Sequence, residues 1–236
     1  MNTNDTALTE RYLSVKSLYE QYVRSSRRDP DDVRLIAVSK GHSADAIRLC
    51  ATQGQVWFGE NYAQELERKA EQLQALQLKW SFIGRIQSNK IASIVKYADE
   101  IQGLAELKHA QLIARHAVLK AKTPFPVWIL VNLGEEASKG GVSLANVKAF
   151  AEEIKSECPV LSLQGLMAIP PQGLNAEHGG IPEAYEALCA ASRSIGAGQA
   201  SLGMSNDLDS AIAAGSNCVR VGTAIFGPRQ SGAQTS

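Results

Sequence analysis

Lys40 ends a mostly apolar run and shares alternate-residue parity with Ile36 and Val38. If that face points into a core, the amine sits at the core's edge. Burial there disfavours the charged form. A neutral amine can form a Schiff base with an aldehyde. Position alone also suits a solvated lysine at a strand end. Arg220 lies inside a second apolar run, between Val219 and Val221. A guanidinium there needs an acceptor. That acceptor is either a carboxylate across the core or an anion or pyridine nitrogen of a ligand. Two polar pairs, Ser205-Asn206 and Gly222-Thr223, also follow apolar runs. Ser205 and Asn206 precede a helical run through Ala211 and Ala214, which they could cap while offering N–H groups to an anion. Gly222 would let a phosphate approach the backbone closely.

The elements that must position these groups follow from periodicity. Leu8, Tyr12, Val15, Tyr19 and Tyr22 recur at helical spacing and predict an amphipathic N-terminal helix. Short apolar runs then appear at 34–39, 56–60, 80–84, 100–104, 127–133, 161–169, 200–204 and 218–225. Segments of helical period separate them, such as Leu66, Ala70, Leu73, Leu76 and Val147, Phe150, Ile154. Strands alternating with helices imply βαβ units and a parallel sheet. Eight units in one chain of 236 residues fit a closed (β/α)8 TIM barrel, with an extra N-terminal helix, better than an open doubly wound sheet. The open sheet's dinucleotide-binding version wants G-x-G-x-x-G after its first strand, and Ser39-Lys40-Gly41-His42 stands there instead. In a barrel the residues just past each strand build the site. Here they are Lys40, Glu60-Asn61, Gly84-Arg85, Asn132, Met167, Ser205-Asn206 and Gly222-Thr223. The loops after strands seven and eight are where this fold commonly holds a phosphate. Two Gly- and Pro-richer loops, 134–141 and 170–180, fall at the same mouth.

Charge is balanced, with 24 Lys+Arg against 24 Asp+Glu, which argues against a broad nucleic-acid surface. Cys50, Cys158, Cys189 and Cys218 are scattered, without metal-ligand spacing, and read as reduced, mostly buried thiols. No signal peptide and no membrane-spanning run is evident, so a cytoplasmic protein is expected. A single domain over 1–228 and a disordered tail over 229–236 are expected as well.

Several stretches, in order, carry a family resemblance. They are Ala37-Val38-Ser39-Lys40, Phe58-Gly59-Glu60-Asn61-Tyr62, Phe82-Ile83-Gly84 and Gln87-Ser88-Asn89-Lys90. Ser138-Lys139-Gly140, Gly165-Leu166-Met167-Ala168-Ile169-Pro170 and Leu202-Gly203-Met204-Ser205 follow. The last is Ala211-Ile212-Ala213-Ala214-Gly215-Ser216, running into Val219-Arg220-Val221-Gly222-Thr223-Ala224-Ile225-Phe226-Gly227. The set resembles the pyridoxal phosphate homeostasis protein family, single-domain relatives of the alanine racemase barrel. That resemblance implies an alanine racemase N-terminal-domain-like barrel with pyridoxal 5′-phosphate (PLP) as cofactor. It implies that Lys40 holds PLP as a Schiff base and that Arg220 faces the pyridine nitrogen. Ser205, Gly222 and Thr223 would cradle the phosphate, Asn61 would fall in the pocket, and Met167 would pack near the ring.

An arginine can donate to the ring nitrogen but cannot readily give it a proton, so the ring is a poor electron sink. A racemase also wants an acid/base on the opposite face. In alanine racemases an additional C-terminal domain supplies it, and this chain ends soon after its last run. The resemblance therefore implies a monomeric PLP-binding protein of vitamin B6 and amino-acid homeostasis, without established catalysis. Its partners would be PLP and PLP-dependent apoenzymes, with no nucleic acid and no membrane. A PLP-dependent amino-acid racemase-like enzyme is the alternative. A barrel enzyme forming a Schiff base with a phosphorylated metabolite is a third reading. Gly41-His42 stand where the family often has Thr-Lys, and Ser81 where it commonly has His. His42, Lys139, His109 and His116 read as solvated residues.

Overall fold

The structure, a computed structural model, describes residues 3–134, 140–169 and 183–228. Each apolar run becomes a short strand whose side chains alternate between two destinations. The strands are β1 (Arg34–Val38), β2 (Trp57–Glu60), β3 (Lys79–Phe82) and β4 (Glu100–Leu104). They continue as β5 (Phe125–Val131), β6 (Leu161–Ala168), β7 (Gln199–Ser201) and β8 (Cys218–Val221). All pair in parallel in chain order, and β8 closes on β1 with Ile36 opposite Arg220. The expected (β/α)8 barrel is therefore the observed fold.

The helices form the outer ring: α1 (Thr3–Ser25), α2 (Ala44–Thr52), α3 (Ala63–Gln72), α4 (Ile91–Tyr97) and α5 (Leu107–Leu119). After them come α6 (Val147–Glu157), α7 (Glu183–Ser194), α8 (Leu208–Ala213) and the single turn α9 (Thr223–Phe226). The N-terminal helix predicted from its spacing is α1. It buries Leu8, Tyr12, Val15 and Val23 and packs on α2, α8 and α9. Arg11 Nε donates to the Ile225 carbonyl at 3.0 Å, and the Tyr12 hydroxyl donates to Gln55 at 3.2 Å.

Alternation sorts the core into two parts. Outward residues such as Leu35, Ala37, Phe58, Phe82, Ile129 and Val219 meet the helices. Inward residues Ile36, Val38, Trp128, Met167 and Cys218 fill the lumen, with Trp57, Ile83 and Leu130 packed against them. Both are dry layers of the sort that dominates folding energy. All four cysteines are buried free thiols. Among the described residues no helix is long and apolar enough to cross a membrane.

The last two strands are shorter than their apolar runs. β7 stops at Ser201 because Gly203, at φ 95°, turns the chain away, although the Leu202 N–H still reaches the Cys218 carbonyl at 3.1 Å. β8 stops at Val221, and 223–225, read as strand from apolarity, belong to α9. Short apolar runs do not distinguish buried strand from buried helix. Ile225 and Phe226 are buried by the outer layer rather than by the sheet. The loop 170–180, Lys139 and the tail 229–236 lie outside the described residues.

Strand β6 leaves no room for a side chain at Gly165, where a Cβ would stand 1.9 Å from the Gln199 carbonyl oxygen. Gly165→Ala must push β6 off β7. We expect it to cost about 3 kcal/mol through overpacking, read as a lower urea midpoint with an unchanged slope.

Candidate functional site

Lys40 follows the buried end of β1 and is itself half-buried at the C-terminal mouth. It sits in a tight turn in which the His42 N–H donates to the Ser39 carbonyl at 3.1 Å. Gly41 holds φ 76° in that turn, a left-handed value glycine adopts without strain. Lys40 keeps the parity of Ile36 and Val38, which line the lumen. Ser39 keeps the parity of Ala37, which faces the helices.

Behind that turn lies a buried ionic cluster. Lys69 of α3 is 0% exposed. Its ammonium donates to the Ser39 carbonyl at 2.8 Å, to Glu60 Oε1 at 2.7 Å and to Glu65 Oε2 at 2.7 Å. Ser39 Oγ donates to Glu60 Oε1 at 2.6 Å, and the Gly41 N–H donates to Glu65 Oε2 at 2.8 Å. Burial pushes the Glu60 carboxyl pKa up, against the pull of Lys69. Burial also acts to raise Glu65, but hydrogen bonds from Lys69 and Gly41 outweigh it and leave its pKa low. The sequence reading noted Glu60 as a strand end and missed Lys69 and Glu65. The available signal was a Glu–Lys pair at i,i+4 on one helix, which usually marks a solvated face.

Arg220 points into the lumen and is 5% exposed. It donates to the Ala168 carbonyl at 2.7 Å and to Ser201 Oγ. Among the described residues no carboxylate pairs with it directly, contrary to one of the two sequence expectations. A hydrogen-bonded series runs from its Ser201 partner down the barrel to a carboxylate. Ser201 Oγ donates to Gln102 Oε1 at 2.7 Å, and Gln102 Nε2 donates to Glu100 Oε1 at 2.7 Å. Glu100 also accepts from Arg34 at 2.8 Å and from Trp128 Nε1 at 3.1 Å. Arg34 stacks on Trp57, its guanidinium carbon 3.9 Å from the ring centroid. Burial pushes the Arg220 pKa down, opposed by Cys218, Asp207 and Tyr185 nearby.

The remaining expected residues surround the same mouth. Met167 is a lumen wall beside Leu130 and Ser201. Gly222 lies against β1, where a Cβ would be 3.3 Å from the Val38 carbonyl oxygen. Thr223 is exposed and opens α9, so its N–H has no acceptor within that helix. Ser205 and Asn206 lie in the turn before α8 but do not cap it. The cap residue is Asp207, whose carboxylate accepts from the Met204 N–H at 2.7 Å and from the Tyr185 hydroxyl. The Asp207 side chain makes no capping bond to α8 but braces the turn that presents Ser205 from within, and the N-cap position that spacing had given to Ser205 and Asn206 falls to Asp207. Asn61 Oδ1 and Ser81 Oγ are buried without a hydrogen-bond partner. Such atoms suit a ligand's polar edge or an ordered water.

Two histidines differ from their expected solvated state. His42 is half-buried and stacks on Phe226 at 5.0 Å, tying the turn of Lys40 to α9. His109, expected far from the strand ends, is buried in the first turn of α5 just after β4. Its Nε2 lies 3.1 Å from Ser88 Oγ, and its Nδ1 lies 3.6 Å from Glu106. No cluster of metal-ligating side chains occurs among the described residues.

Removing the lumen carboxylate with Glu100→Gln leaves Arg34 without its counter-charge and the chain to Arg220 without its end. We expect a loss of about 3 kcal/mol, typical of breaking a buried pair from one side, measured by urea unfolding. Burial holds the His109 pKa below its ordinary value, with Glu106 opposing and Lys108 assisting. Its contribution is present above the unfolded pKa and is lost as pH falls through the folded one. Between about pH 8 and about pH 5.5, either side of histidine's ordinary pKa of about 6.5, wild type should lose more stability than His109→Gln.

Comparison with known proteins places this geometry. Residues 14–230 match the family model of the alanine racemase N-terminal domain. A pyridoxal phosphate homeostasis protein of Pseudomonas aeruginosa is 37% identical over 233 residues, covering 98% of this chain and 100% of the relative. The protein so named in Escherichia coli is 39% identical over 210 residues, covering 86% and 88%. Among solved structures, PipY of Synechococcus elongatus with PLP bound superposes with a TM-score of 0.75 at 31% identity, covering 93% of this chain and all of that one. Alanine racemase from Corynebacterium glutamicum shares the fold, with a TM-score of 0.68 at 15% identity over 97% of this chain and 63% of that one. The chain belongs to the pyridoxal phosphate homeostasis protein family, built on the barrel of the alanine racemase N-terminal domain.

Proposed function

We propose that this protein binds PLP at the C-terminal mouth of its barrel, as a Schiff base on Lys40, and serves intracellular PLP and amino-acid homeostasis. The observation that carries the reading is Arg220. It is a lumen guanidinium whose direct partners are a carbonyl and a hydroxyl, which leaves its charge available to a ligand acceptor. The mouth suits the rest of the molecule. Gly222 and the opening of α9 offer a small residue and backbone donors to a phosphate. Asn61, Ser205 and Thr223 add polar contacts, and Met167 supplies an apolar wall beside the ring. Named relatives and a PLP-bound structural neighbour support the same assignment.

The covalent step needs only the Lys40 amine. Lys40 would hold the cofactor through its amine, the aldehyde oxygen departing as water with the two amine protons as a C=N bond forms. PLP otherwise supplies an electron sink, and a ring nitrogen facing a permanently protonated arginine makes that sink weak. The residues therefore favour holding and delivering the cofactor over turnover. The recipients on this reading are PLP-dependent apoenzymes, and the protein works as a cytoplasmic monomer.

Incubated with PLP, the purified protein should gain a visible absorbance band, and borohydride should fix the cofactor to the peptide containing Lys40. Lys40→Ala should lose both signals while melting close to wild type. A wild type that stays colourless with PLP would overturn the proposal.

A further inference from the structure

The two residues that flank Lys40 are held from outside the barrel. Ser39 is gripped through its carbonyl by Lys69 and through its hydroxyl by Glu60. The N–H of Gly41 is gripped by Glu65, which also binds Lys69. All three ammonium protons of Lys69 have acceptors, and its side chain is wholly buried. A buried charge is an expensive way to pack a helix on a sheet, because an apolar residue of similar volume often serves as well or better. What an apolar residue cannot do is hold a carbonyl on one side of Lys40 and, through a shared carboxylate, an N–H on the other. Past Val38 the chain leaves the strand, and Gly41 is the residue whose backbone is freest to swing. The turn is also held by the His42-to-Ser39 hydrogen bond, the Ser39 N–H bond to Gly59 at 3.0 Å and the His42–Phe226 stack, but none of these grips the Ser39 carbonyl from the helix layer or the Gly41 N–H.

We infer that Lys69 is a positioning residue for Lys40, fixing the backbone on both sides so that the amine faces the barrel mouth. The inference rests on the reading of Lys40 as the PLP attachment point. It assigns the Lys69–Glu60–Glu65 cluster to the covalent part of PLP binding. The phosphate contacts at the β7 and β8 ends and the apolar wall of Met167 on β6 make no hydrogen bond to the cluster.

The probe that separates the two parts is pyridoxamine 5′-phosphate. It has the phosphate and ring but an amine in place of the aldehyde, so it cannot condense with Lys40. The quantity measured is the dissociation constant for pyridoxamine phosphate divided by that for PLP. Lys40→Ala sets the floor of this ratio. Lys69→Met alone strands the buried Glu60 carboxylate, so the main variant is Lys69→Met with Glu60→Gln, checked for folding by circular dichroism. We expect its ratio to fall about tenfold or more toward the floor, with affinity for pyridoxamine phosphate nearly unchanged. Glu65→Gln keeps the ammonium and Glu60 and serves if the double variant does not fold. Its ratio should fall in the same direction. A folded variant that keeps the wild-type ratio overturns the positioning role. Equal ratios for wild type and Lys40→Ala would instead overturn the Schiff base itself, and the positioning role with it.

Discussion

An ammonium taken out of water costs several kcal/mol even after the surroundings relax. Lys69 tolerates that position because each of its three donors meets an oxygen at hydrogen-bond distance. Two of those oxygens belong to carboxylates, and the third belongs to the backbone at the end of β1. The arrangement ties together β1, β2 and α3, with α2 lying between the two strands in the chain. It also explains why a glutamate can stand at 0% exposure at the end of a strand. Remove the ammonium, and Glu60 keeps only the Ser39 hydroxyl, with Oε2 already unpartnered.

A second polar system occupies the lumen, where β/α barrels usually stack apolar side chains in layers. Here the apolar layer of Ile36, Val38, Trp128 and Met167 shares the space with Glu100, Gln102, Ser201 and Arg220. The donors run one way, from Arg220 through Ser201 and Gln102 to Glu100. With its proton turned toward Gln102, the Ser201 hydroxyl presents a lone pair to Arg220. Arg220, Ser201, Gln102 and Glu100 each bond to the next in this series, the condition under which such a network stabilises rather than weakens a core. The two systems meet the mouth from opposite sides of β1. One orders the turn of Lys40 from the helix layer, and the other orders Arg220 from below.

Much of the fold was legible in the sequence because its cause is periodic. Alternation at strand spacing, interrupted by helical period, recurs often enough to imply a closed parallel barrel, and the first helix shows its apolar stripe directly. Strand ends were less legible. The stretch 223–226 is apolar whether it continues a strand or turns into α9. Only its burial against the helical layer separates the two. Ser205 and Asn206 had the right residue types for a cap, but the backbone puts Asp207 at the N-cap position, its carboxylate turned back to the Met204 N–H.

By itself, the sequence determined which groups stand at the strand ends: the parity of Lys40, the inward placing of Arg220, the small Gly222 and the hydroxyls of Ser205 and Thr223. Those are local facts, set by the two-residue repeat of a strand. Tertiary structure decided who partners whom. Lys69 and Glu65 look like an ordinary solvated helix pair until α3 is pressed onto β1 and β2. His109 looks exposed until α5 turns it toward Ser88. Arg220 and Glu100 lie 120 positions apart and meet only through two intermediaries from two strands. Burial turns a charge from an indifferent surface feature into one that must find a partner, and burial is a property of the closed barrel rather than of any segment within it.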